Sequence, residues 1–156
     1  MKIVVSGSTG LIGTALVKAL QDRGHDVVRL VRRPVSPGEH AIVWDPARGT
    51  IDRAGLEGAD AVIHLAGENV FGRWSEAKKQ RIRDSRVLGT RTVSDAVAGL
   101  RRPPATLLAA SAVGYYGDRG DEVLTELRQP APVRFAPWPT PPTSASSSSC
   151  RPTTRH

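Results

Sequence analysis

Gly7-Ser8-Thr9-Gly10-Leu11-Ile12-Gly13 follows a β-branched run, Ile3-Val4-Val5, and opens a segment from Leu11 to Arg23 whose apolar residues recur at helical spacing. The order is strand, glycine turn, helix N-terminus. Amides left unpaired at such a terminus, with the positive end of the helix dipole behind them, form an anion site that suits a dinucleotide pyrophosphate. Glycine at 7, 10 and 13 removes the side chains that would block the tight turn, the approach of the ligand and the packing of helix on strand.

Working outward, a second apolar run at Asp26 to Val31 arrives at the length a βαβ unit requires. A glycine motif alone is equally the mark of a structural turn into a packed helix; the strand before it, the helix after it and the second strand favour nucleotide binding. Further strands are predicted at Ala41 to Trp44, Ala61 to Leu65 and Ala105 to Ala112, the last of them buried. Ser75 can cap a long helix reaching about Gly99, with Ile82, Val93, Ala96, Val97 and Leu100 as its apolar stripe and Arg101-Arg102-Pro103-Pro104 as its stop. This alternation predicts an α/β fold: a Rossmann-type doubly wound parallel sheet, incomplete at five strands, with helices on both faces.

The length of 156 residues allows one domain with a core and is short for two ordinary ones. No apolar run approaches the ~18 residues of a membrane span, and Lys2 is followed by a short strand rather than the longer apolar core of a signal peptide. A cytoplasmic location without a membrane partner is expected. Cys150 is the single cysteine, with no partner for a disulfide and no companions for a metal site.

A net charge of +7 raises nucleic-acid binding, but Arg128, Arg134, Arg151 and Arg155, unopposed by Asp or Glu, place most of the excess beyond residue 126. No recognisable nucleic-acid module accompanies them, so no nucleic-acid partner is expected. The composition divides the chain into 1–126, a nucleotide-binding domain, and 127–156, a Pro/Ser/Arg-rich tail expected to be disordered. Seven of the twelve prolines and the run Ser146 to Ser149 lie in that tail. The abrupt change reads as translation of a wrong reading frame; an interaction tail or linker is the alternative.

Leu65-Ala66-Gly67-Glu68-Asn69, the pair Arg73-Trp74, Leu88-Gly89-Thr90 and Ser111-Ala112-Val113-Gly114-Tyr115-Tyr116-Gly117-Asp118 occur in an order that resembles the extended or atypical short-chain dehydrogenase/reductases. More narrowly, residues 1 to about 126 resemble the epimerase-like NAD-dependent epimerase/dehydratase proteins, whose members continue for about as many residues again. The resemblance implies that Gly7, Thr9, Gly10, Leu11, Ile12 and Gly13 bind pyrophosphate through their backbone. It implies that Leu65, Ala66 and Gly67 approach the ribose and nicotinamide half, and that Trp44-Asp45 lies near adenine, where Asp45 is equally a turn former. Arg32 and Arg33 stand where NAD-preferring folds place an acidic residue, so NADP(H) is expected to bind in preference to NAD; two solvated surface arginines are the alternative. Arg81 and Arg86 are candidates for phosphate or ribose, or a solvated helix face.

For catalysis, family members use a Ser or Thr together with a Tyr-x-x-x-Lys pair. Ser111 matches the serine, and no Tyr-x-x-x-Lys exists in the chain. Tyr115 and Tyr116 read as packing residues. Two readings follow: an NADP(H)-dependent epimerase-like oxidoreductase acting on an unknown small molecule, or a nucleotide-binding module without turnover. A homo-oligomer is compatible with both.

Overall fold

A computed structural model of the chain describes residues 1–111, 113–125 and 127. Its strands are β1 (Lys2–Ser6), β2 (Asp26–Val31), β3 (Ala41–Asp45), β4 (Thr50–Ile51), β5 (Ala61–His64) and β6 (Thr106–Ala109), and its helices are α1 (Leu11–Asp22), α2 (Arg53–Leu56) and α3 (Glu76–Ala98). The strands form one sheet in the order β4-β3-β2-β1-β5-β6. All pairings are parallel except that of β3 with β4, where Trp44 faces Ile51. The doubly wound sheet is therefore as the pattern predicts, with one strand more than expected.

Successive residues of β1 serve opposite layers, as the two-residue period of a strand requires. Ile3 and Val5 pack with Val17 of α1 and Val27. Val4 packs on the other face with Val28, Leu30, Ile42, Trp44 and Val62, under Leu56 of α2 and Val93, Ala96 and Leu100. Burial on both faces explains why the central strands read as continuous apolar runs. Ser75 caps α3, its side chain accepting a hydrogen bond from Lys78 N, and the helix buries Ile82, Val93 and Ala96 of its predicted stripe.

Two corrections concern the edges. The additional strand β4 and the short α2 follow the turn at Pro46 to Gly49, and Asp52 caps α2 by accepting from the Ala54 and Gly55 amides. The last strand is shorter than expected and not buried: all four residues Thr106 to Ala109 are exposed. It lies at the end of the sheet and pairs only with β5 among the described residues. An apolar composition carries a strand into a sheet without guaranteeing that a layer covers it.

The chain divides into two units between Ala110 and Ser111. In the second, Val113–Tyr116 forms a 3-10 turn. The rings of Tyr115 and Tyr116 meet edge to face with centroids 5.0 Å apart, and Arg119 Nε donates to Tyr116 O at 3.2 Å. Ala112 and the residues from 128 onward, which include nearly all of the expected tail, lie outside the described residues, and the compositional boundary at 126/127 falls at their margin. No helix among the described residues is long and apolar enough to cross a membrane.

The chain leaves β1 for β2 and β3 on one side of the sheet and returns to β5 and β6 on the other. The connections that follow β1 and β5 consequently run toward opposite sides of the sheet, and a crevice opens at the carboxyl ends of the strands, where ligands of such sheets bind.

Candidate functional site

A cavity of about 830 Å³ occupies that crevice. Gly7, Thr9 and Gly10 line it from the turn after β1, Arg32 and Arg33 from the end of β2, Trp44, Pro46 and Ala47 from the end of β3, and Leu65, Ala66 and Gly67 from the end of β5. Its remaining side is α3, through Arg81, Asp84, Ser85 and Leu88.

The three glycines of the opening motif differ in what their missing side chains permit. Gly7 has φ +69°, and a Cβ there would lie 2.8 Å from Ala66 N and from Leu65 C. Only glycine lets the two loops meet. A Cβ on Gly13 would lie 2.1 Å from Gly7 O, so Gly13 is what allows α1 to start beneath the turn. At Gly10, apart from its own chain neighbours, the only atom of the described residues within contact range would be Gly7 O, at 3.4 Å. The space beside Gly10 is left open by the protein itself. Gly10 is also the N-cap of α1, without a side-chain hydrogen bond and without an acidic residue in the first turn. The helix therefore begins with amides and a positive dipole end that no side chain of its own offsets. Leu11 and Ile12, in that first turn, are exposed.

Ser6 and His64 join the two loops from below. Ser6 Oγ accepts from Leu65 N at 3.1 Å and from Ala66 N at 3.3 Å, and lies 2.7 Å from His64 Nδ1. With both lone pairs engaged, the hydroxyl donates its proton to Nδ1, which fixes a neutral His64 with its hydrogen on Nε2. Burial lowers the His64 pKa and favours the same state. Trp44 meets the imidazole edge-on at 5.6 Å, and Gly89 lets α3 approach both rings: a Cβ there would lie 3.3 Å from His64 Nε2.

The arginines divide by partner. Arg33 forms an ion pair with Glu39, which raises the arginine pKa and lowers that of Glu39. Arg32 forms no salt bridge or side-chain hydrogen bond among the described residues and lines the cavity with its charge uncompensated. Arg81 lines the cavity and reaches Glu68 Oε1 at 3.4 Å, while Lys78 reaches the same oxygen at 3.0 Å. The hydrogen bond from Lys78 is the main cause of a lowered Glu68 pKa, which keeps that residue a carboxylate. Arg86, expected at the ligand, does not line the cavity. Its Nη1 donates to Glu68 O and Ile82 O, both at 3.3 Å, above Gly67.

The neighbouring Ser85 accepts from Glu68 N at 2.9 Å. Consecutive residues of α3 thus hold both backbone groups of Glu68, fastening the loop after β5 to the helix. In the sequence Glu68 stands out only as part of a motif, and Ser6, His64, Asp84 and Ser85 do not stand out as site residues. A buried Ser and His at the ends of two adjacent parallel strands were the available signal. Asp45 Oδ1 accepts from Ala47 N and Arg48 N, which is the turn-forming role left open for it. Ser111 opens the second unit and is exposed.

Residues 3–136 match the model of the NAD dependent epimerase/dehydratase family. The epimerase family protein Mb2239 of Mycobacterium bovis is 46% identical over 125 residues, which are 80% of this chain and 40% of that protein. Among solved structures, a nucleoside-diphosphate sugar epimerase from Corynebacterium glutamicum is 41% identical with a TM-score of 0.67, covering 83% of this chain and 26% of its own. Human epimerase family protein SDR39U1, solved with NADPH, is 35% identical with a TM-score of 0.62, covering 74% and 38%. A crevice built on a glycine turn at the switch point of a doubly wound sheet, and a family match over most of the sequence, identify the class together: the chain belongs to the NAD dependent epimerase/dehydratase family. It spans about 40% of the length of the curated relatives it matches.

Proposed function

We propose that the unit formed by residues 1–110 binds a nicotinamide dinucleotide, NADP(H) in preference to NAD(H), and that it serves an epimerase-like oxidoreductase of the short-chain dehydrogenase/reductase type acting on a small molecule. The observation that carries the cofactor preference is the pair Arg32 and Arg33: one guanidinium is held by Glu39, and the other lines the cavity without an ionic partner among the described residues. A 2′-phosphate beside the ribose would give Arg32 a doubly hydrogen-bonded partner. The same position offers the ribose hydroxyls of NAD(H) no acceptor.

The residues present fit the group. The volume falls in the range of small-molecule sites, about 300–1,000 Å³, and the opening beside Gly10 admits close approach to the backbone. The Gly7 to Gly13 turn would hold the pyrophosphate, Pro46, Ala47 and Leu88 would flank adenine, and Leu65 to Gly67 would border the nicotinamide half. Bound there, a nicotinamide supplies hydride exchange with a carbinol or carbonyl carbon. Ser111 is the residue of this chain suited to polarising the substrate oxygen, a role carried by resemblance.

The lack of any Tyr-x-x-x-Lys in the sequence favours a second reading, nucleotide binding without turnover by this chain. Calorimetric titration with NADPH and NADH tests the shared part. Tighter NADPH binding that Arg32→Asp abolishes supports the assignment; equal affinities overturn the role of Arg32, and no binding of either overturns the dinucleotide reading. Hydride exchange with a panel of small carbonyl compounds separates the enzyme from the module.

A further inference from the structure

A second cavity, of about 530 Å³, lies between the β3–β4 turn and the face of α3. Pro46, Ala47 and Leu88 form a wall common to it and the first cavity, and the rest of its lining sets four charged residues beside Gly49, Thr50, Ile51 and Thr92. Arg48 lines it from the turn, Arg53 from the start of α2 and Arg91 from α3, with Asp95 as the one carboxylate among the lining residues. Arg48 reaches a carboxylate outside the cavity, Asp45 at 3.5 Å. Arg53 and Arg91 form no salt bridge among the described residues, and neither does Asp95, one turn beyond Arg91.

Arg53 is stationed rather than free. A Cβ on Gly99 would lie 3.1 Å from its Nη1, so the guanidinium rests against the carbonyl end of α3, where the negative pole of the helix attracts a cation without a carboxylate neutralising it. Two cations without carboxylate partners in one concavity concentrate positive potential there. Guanidinium groups carried on separate helices and lining one cavity suit an oxygen-rich anion, which each can meet with paired N–H donors. Asp95 opposes a fully anionic occupant and favours one that also carries hydroxyl donors.

We propose that this cavity is a second binding site, for a small phosphorylated polyol, with Arg53 and Arg91 on the phosphate and Asp95 accepting from a hydroxyl. The site is separate from the dinucleotide reading and stands whether or not that reading holds. Titration of the full chain at constant ionic strength, followed by the arginine side-chain Nε–H signals in NMR spectra, tests it with glycerol 3-phosphate, glycerol and sodium sulfate as probes. Glycerol 3-phosphate should shift the Arg53 and Arg91 signals saturably. Glycerol should shift neither, and sulfate should bind more weakly for want of the hydroxyl contact. Arg91→Gln, on the exposed side of α3, should weaken glycerol 3-phosphate binding about ten-fold, the effect of losing one charge-assisted pair; Arg32→Gln should leave it unchanged. Equal shifts with sulfate, unchanged affinity in Arg91→Gln, or loss in Arg32→Gln instead would each overturn the proposal.

Discussion

Ser6 Oγ lies 2.7 Å from His64 Nδ1 while accepting hydrogen bonds from the amides of Leu65 and Ala66. The pair ties the end of β1 to the loop after β5, directly beneath the cavity. It works in one protonation state, because a charged imidazole would present a proton to a hydroxyl oxygen already accepting twice.

That state sets a pH dependence. Burial lowers the His64 pKa from the ordinary 6.5, so its stabilising contribution is present above 6.5 and is lost as pH falls below it, where the unfolded chain binds the proton more readily. The thermal midpoint of the chain should fall between pH 7.5 and 5.5. His64→Gln should show a lower midpoint at pH 7.5 and a flatter profile across the same interval.

The glycines of the turn should separate stability from binding. Gly13→Ala forces a methyl to within 2.1 Å of a carbonyl oxygen and should cost about 3 kcal/mol in urea unfolding, the upper end of ordinary overpacking. Gly10→Ala brings its methyl no nearer than 3.4 Å to Gly7 O in an extended conformation open to alanine, and should stay within about 1 kcal/mol of the parent. Its effect belongs in a cofactor titration, where NADPH affinity should drop.

Arg32 and Arg33 are neighbours with different expected phenotypes. Removal of the unpaired Arg32 by alanine should weaken NADPH binding about 10- to 100-fold, the range for a hydrogen bond to a charged group, and leave NADH binding little changed. Arg33→Ala releases Glu39 and should have a smaller effect on both. Calorimetry at two salt concentrations checks this, because the Arg32 contribution should shrink at the higher one.

Ser85→Ala should release the Glu68 amide. Hydrogen exchange at Glu68 is expected to accelerate, with unfolding free energy reduced by about 1 kcal/mol. Unchanged exchange at that amide would show that the Arg86 contact to Glu68 O holds the loop without help.

The strongly patterned parts of the fold were legible in the sequence. Ile3-Val4-Val5 is a β-branched run bounded by a glycine turn, the apolar stripe of α3 has a helical period, and each forms within a residue or two of expectation. The two-residue β4 and four-residue α2 are too short to display a period; Asp52, the cap of α2, was their one local mark. The cover of β6 was not legible, because Leu107 and Leu108 look the same in sequence whether or not a layer lies over them. In the site, charge could be read but partnership could not. Nothing local distinguishes Arg33, paired with Glu39, from Arg32, and the bond from Arg86 to Glu68 O spans a helix and a loop.

The contacts at Gly7 and Gly13 are backbone against backbone. No rotamer can relieve them and no single side-chain exchange can reshape them, so the seat of this cavity is fixed for any sequence that keeps the fold. Its rim is otherwise: Arg32, Ala47, Arg81 and Asp84 border the same space through side chains on strand ends and a helix surface. Ligand preference in this architecture is therefore a property of exchangeable parts around an unexchangeable centre, and attempts to redirect it should spare the glycines and recast the rim.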